Sequence, residues 1–145
     1  MVKNYDRTDL YWTRRGDYVI GPDGDILDTS DDPLRSLIQE CRSRLQSDQG
    51  DWNLYPQLGA NLSDLIGESN NKMTAESLKA KVIAALNQYG MVDTRNINIS
   101  YLPLGPSTIL LRLSIAVAST EENHLTKSLD IQILYNYTDN NIHIL

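Results

Sequence analysis

Cysteine is nearly absent from this chain. Cys41 stands alone among 145 residues, so no internal disulfide can form and nothing calls for an oxidising compartment. Basic charge is also scarce. Thirteen Lys and Arg against nineteen Asp and Glu leave a net charge of −6, whereas a surface that tracks phosphates would be basic. Nucleic acid is therefore not an expected partner. Long apolar runs are missing too. The stretch "MVKNYDRTDLYW" has no signal-peptide core, and no segment approaches the length of a membrane span. A soluble chain made in the cytoplasm, with no membrane partner, is expected.

Catalytic constellations are equally thin. There is no Gly-Lys-Ser/Thr loop to cradle a phosphate and no nucleophile elbow. His124 and His143 have no second His or Cys at ligand spacing, so packing or solvated roles are expected, with no metal and no other cofactor. The acidic run "DGDILDTSDD" loses the calcium-loop pattern after Asp25 and places Leu34 where a bidentate Glu would sit. Turn and helix-cap chemistry accounts for it. Glu40, Asp48, Asp51, Asp64 and Glu68 could supply the two carboxylates, about 5–10 Å apart, that a glycosidase needs. Nothing in the sequence marks one of them as a buried acid.

What is present reads as one α+β domain. In "YVIGPDGDILDT", Val19 and Ile20 precede and Ile26 and Leu27 follow the turn residues Gly21–Gly24, which predicts a β-hairpin. Asp32 then serves as a candidate N-cap, with Pro33 at the first helical position. Leu34, Leu37, Ile38, Cys41 and Leu45 fall on one helical face, while Arg35, Gln39, Arg42 and Ser43 face away. Cys41 is thereby expected as a buried, inert thiol. A second amphipathic helix lies in "MTAESLKAKVIAALNQYG". Thr74 is its candidate cap, Glu76 complements its dipole, Leu78, Val82, Leu86 and Tyr89 form its buried stripe, and Gly90 ends it. About twenty-five residues separate the two helices, with one short helical candidate at "NLSDLIG", and a connection of that length usually has a function.

After residue 95 the hydrophobic period falls from 3.6 to 2. Ile97, Ile99 and Tyr101, then Ile109 to Val117, then Leu129 to Tyr135 alternate with largely polar neighbours, and "NIHIL" makes a short fourth strand. Turns are expected at Pro103–Pro106, in "STEENHLTKS" and in "TDNN". The architecture expected is two helices on the apolar face of a mainly antiparallel four-stranded sheet, with residues 1–30 as an N-terminal hairpin extension and 31–145 as a single domain. Such a sheet has open edges. The final strand, "NIHIL", carries no Lys, Pro or acidic residue to blunt an edge, so Ile131, Ile133, Ile142 and Ile144 are candidate partner-binding positions.

"GDWNLYPQLGANL" fits no periodic pattern. Read from the residues, Gly50 ends a turn, Trp52 and Leu54 plug the seam between helices and sheet, Pro56 stiffens the chain and Gly59 permits a left-handed bend. The order of the pieces adds something: an amphipathic helix, Gly-acid-aromatic, a Pro shortly before a Gly, then a short helix. That order resembles the small baseplate wedge proteins of contractile-tail bacteriophages, which act as sheath initiators and have often been labelled lysozyme-like. The resemblance covers residues 33–137. Where the family has Gly-Glu before the aromatic, this chain has Gly50-Asp51-Trp52, with Pro56 and Gly59 in the matching places. The family's Glu-Pro-Arg motif stands here as Asp93-Thr94-Arg95, which keeps the acid and the arginine and loses the proline.

The resemblance implies a structural, non-enzymatic protein of the virion tail baseplate. Its implied partners are the tail sheath protein and other baseplate wedge proteins, with the tail tube or hub as neighbours. Asp93 and Arg95 would make the wedge contact, and the sheet edge would receive the first sheath ring, because sheath subunits in such tails exchange terminal strands. Two alternatives belong to other classes: an interaction module of a different complex, and a cell-wall glycosidase.

Overall fold

Asp32 and Pro33 begin the first helix as their chemistry dictates. The Asp32 carboxylate accepts from the Leu34 N–H at 3.1 Å, and Pro33 sits where its missing N–H has no bond to lose. Helix α1 spans Pro33–Gln46 and buries Leu37, Cys41 and Leu45. The computed structural model describes residues 8–13, 15–30, 32–117 and 127–144. His124 and most of the turn expected at 119–128 lie outside these residues.

Helix α2 spans Lys72–Asn87 and starts one turn earlier than the sequence suggests. Asn71 is its N-cap, accepting from Thr74 N–H at 2.9 Å, so the expected cap Thr74 is instead buried in the first turn. Asn wins because it stands three residues ahead of an N–H that it can reach, whereas Thr74 already has helical backbone. At the other end Tyr89 is not part of the buried stripe. It takes a left-handed φ of 55° just before Gly90, and the turn swings its ring out to 59% exposure.

The period-2 segments form an antiparallel sheet in the order β1 (Ile97–Pro103), β2 (Thr108–Val117), β3 (Lys127–Asn136) and β4 (Asn141–Ile144). Register aligns the apolar positions across strands: Ile99, Leu113 and Ile131 stand side by side, as do Tyr101, Leu111, Ile133 and Ile144. These side chains share one core with Leu37, Cys41 and Leu45 of α1 and Leu78, Val82 and Leu86 of α2. The fold is therefore α+β, with both helices on one face of the sheet. The opposite face carries the Arg112–Asp130 pair and the Ser114–Ser128 hydrogen bond.

The hairpin around Gly21–Gly24 is present, with Ile20 bridged to Ile26 and Leu27 N–H donating to the Val19 carbonyl. An earlier segment joins it, because Leu10 bridges to Asp28 and Trp12 to Tyr18. This ribbon lies on α1 through Gln39. Its amide Nε2 donates to the Leu10 carbonyl at 2.9 Å, and its Oε1 accepts from Trp12 N–H at 3.2 Å. Gln39 is buried as a result, where helical spacing alone pointed it at solvent. The Asp side chains of the acidic run hold turn N–H groups, Asp23 receiving Asp25 and Asp28 receiving Ser30.

Candidate interaction surfaces

Strand β4 is too short to cover its neighbour. It pairs with β3 only from Ile133 to Asn136, and among the described residues nothing pairs with that edge of β3 between Lys127 and Gln132. The four isoleucines expected to bind a partner do not present their side chains there. Ile131, Ile133 and Ile144 are buried, and Ile142 packs against the core. The reason is the pleat: these positions share the parity of the core-facing residues, so the edge offers main-chain donors and acceptors instead. On the outer face, Leu102, Leu110, Leu134 and His143 form a row across all four strands.

Asp93 and Arg95 do come together. Arg95 Nη2 donates to Asp93 Oδ2 at 2.8 Å and Nε to Oδ1 at 3.3 Å, while Asp93 Oδ1 also accepts the Arg95 N–H at 3.0 Å and caps the short turn ahead of β1. The guanidinium, and then the backbone N–H, hold the Asp93 carboxyl down at about 2. The Arg95 side chain is 78% exposed, so the pair lies on the surface.

The connection from Ser47 to Asn71 is tightly built. The Ala60 N–H donates to the Arg44 and Ser47 carbonyls, which brings the chain back to the C-terminus of α1. Gly59 and Gln88 exchange two hydrogen bonds, amide to main chain, tying the same point to the end of α2. Within the loop, Gly50 N–H donates to the Pro56 carbonyl, Asp51 Oδ2 accepts Asp48 N–H, Ser63 Oγ donates to Asp48 Oδ2 and Asn61 Oδ1 accepts Gln49 N–H. Leu62–Leu65 form a single helical turn as expected and bury Leu62 and Leu65. Gly50 and Gly59 both have positive φ, at 99° and 135°.

Trp52 and Leu54 do not plug the seam. Trp52 is 43% exposed and Leu54 88%, because the core between helices and sheet is already filled by Leu62, Leu65 and Tyr135. The Trp52 indole Nε1 donates to Ser47 Oγ at 3.0 Å, so the ring is fixed while its surface stays open. Tyr55 meets Tyr89 edge to face, with centroids 5.9 Å apart.

Arg44 joins the two helices and the sequence reading passed over it. Buried beside α2, its Nη1 donates to the Ala85 and Gln88 carbonyls at 3.0 and 2.6 Å, and its Nη2 reaches Glu40 at 2.6 Å. An arginine placed i+4 from a glutamate near a helix end was the available signal, but such pairs are usually solvated. Glu40 is thus engaged as a counter-ion to Arg44, and Asp48 and Asp51 as loop acceptors. Burial pushes the Cys41 thiol up to about 12, with the Glu40 charge adding to it. Among the described residues no cluster of three or more His, Cys, Asp or Glu is placed to hold a metal ion, and no helix is long and apolar enough to cross a membrane.

Comparison with protein-family models, with curated proteins and with solved structures found no match for this chain.

Proposed function

We propose that this chain is a non-enzymatic assembly protein of a contractile phage tail, a baseplate wedge component that starts the sheath. The observation that carries the reading is the edge of β3 between Lys127 and Gln132, with which none of the described residues pairs. A strand donated by the tail sheath protein would run in line with β4 and antiparallel to β3. Main-chain hydrogen bonds would give the joint its strength, and apolar side chains opposite Leu129 and Ile131 would give it register. The exposed Asp93–Arg95 pair is the proposed contact to a neighbouring wedge protein, with the tail tube or hub close by. The place of action is the virion tail baseplate, after synthesis in the host cytoplasm.

The test mixes the purified chain with purified sheath protein and follows hydrogen exchange amide by amide. Sheath protein is expected to slow exchange between Lys127 and Gln132 and to shorten the lag of sheath polymerisation. Unchanged exchange at that edge, with polymerisation unaffected, overturns the reading.

A further inference from the structure

The loop from Gly50 to Leu58 is ordered by its own hydrogen bonds, yet it leaves large apolar side chains in water. Leu54 is 88% exposed, Tyr55 53% and Trp52 43%, on a segment fixed at both ends to the helices. A loop needing these residues only for its own stability would turn them inward. Tyr89, just past the end of α2, meets Tyr55, and it does so in a left-handed backbone conformation that disfavours any residue with a Cβ. Glycine would take that position at lower cost, whereas tyrosine places a second ring beside the loop.

Charge narrows the choice of partner. From Ser47 to Asn71 the chain carries Asp48, Asp51, Asp64 and Glu68 and not one Lys or Arg, and of these Asp64 is paired with Lys81 of α2 at 3.1 Å, which leaves Asp48 and Asp51 as the acids of the aromatic stretch. The nearest arginine in sequence, Arg44, is buried and directed at Glu40 and two carbonyls. Asp48 and Asp51 are held in place by Ser63 and by the Asp48 N–H, and each carboxylate keeps acceptor capacity for a further donor. Asp51 directly precedes Trp52 in the chain, and a fixed carboxylate next to an exposed indole suits a guanidinium, which can pair with the acid and stack on the ring. An anionic lipid surface would be repelled by the same groups.

We propose that the Gly50–Leu58 loop, together with Tyr89, is a docking surface for a segment of another protein that carries arginine next to apolar side chains. Little ordering is needed at the loop itself, so its exposed aromatics can act as binding anchors. The surface uses other residues than the β3 edge and the Asp93–Arg95 pair, and its test does not depend on what binds either of those.

The experiment selects a displayed library of random dodecapeptides on the wild-type chain and counter-selects on Leu54→Asp. Sequences that depend on Leu54 are expected to be enriched in Arg beside Leu, Met or aromatic residues. Synthetic copies should bind at least about tenfold more weakly to Leu54→Asp and to Trp52→Ala, while the melting curves of both variants stay close to wild type. Three results would overturn the proposal: no Leu54-dependent sequences, enrichment of acidic ones, or loss of folding in both variants. So would concentration-dependent dimerisation that Leu54→Asp abolishes, which assigns the loop to a second copy. Co-sedimentation with phosphatidylserine vesicles, lost in Leu54→Asp, would assign it to a membrane.

Discussion

Gly59 lies so close to the main chain of Asp48 that a Cβ on it would stand 2.5 Å from the Asp48 carbonyl carbon and 2.7 Å from Gln49 N. This contact closes the loop that holds Trp52, Leu54 and Tyr55 outward. It works only with glycine, because backbone atoms cannot step aside and φ there is +135°.

Gly59→Ala is therefore expected to cost about 2–4 kcal/mol, from overpacking plus backbone strain. Gly50→Ala has open space around it and only an unfavourable φ, so its expected cost is about 1 kcal/mol. Urea unfolding of the two variants measures the difference, and equal losses would mean that the approach to Asp48 does not close the loop.

Arg44 should matter more than its i+4 ion pair suggests. Arg44→Met removes the donor to Ala85, Gln88 and Glu40 together, and an expected loss of about 3 kcal/mol follows from the groups left unpaired. Arg44→Lys should recover less than half of it, since one ammonium cannot span the three acceptors that the planar fork reaches. The shift in urea midpoint at constant slope reads this directly.

The Cys41 thiol should resist modification in the folded protein. Its folded value of about 12 against an ordinary 9.0 means that the protonated thiol's contribution to stability is complete below pH 9 and is lost as pH rises from there toward 12. At pH 8 a disulfide-exchange reagent is expected to label it only at the rate of opening, and labelling should accelerate with urea. Rapid labelling without denaturant would show that α1 leaves the core readily.

Asp93 sets the opposite pH dependence. Its carboxyl sits at about 2 rather than 3.8, so the Arg95 contact is fully formed above 3.8 and is lost as pH falls through about 2. An NMR titration of the Asp93 carboxyl should find that low midpoint, and Arg95→Gln should raise it. The rise should stop short of the ordinary value, because the Arg95 N–H remains as a donor. No movement in Arg95→Gln would assign the low midpoint to the backbone alone.

Much of the fold was legible in the residue pattern. Strand positions were readable because one buried sheet face imposes strict alternation, and the register then places Ile99, Leu113 and Ile131 in one row. Asp32 and Pro33 announced α1 because capping is a local matter of one carboxylate and one N–H. Local signals failed where two of them competed, as at Asn71 and Thr74, and where a distant element changed a residue's surroundings. Gln39 looked like a solvent position until the N-terminal ribbon covered it, and Arg44, which no local pattern singled out, is buried because α2 ends against it.

The sequence by itself determined the α+β class, the alternation that builds the core, and an acidic loop without a single cation. Tertiary structure alone decided which apolar residues that core could take. Leu62, Leu65 and Tyr135 fill the space under the sheet, and Trp52, Leu54 and Tyr89, equally hydrophobic in sequence, are left in water. Hydrophobicity is a property of one residue, but room in a close-packed interior belongs to all of its neighbours together.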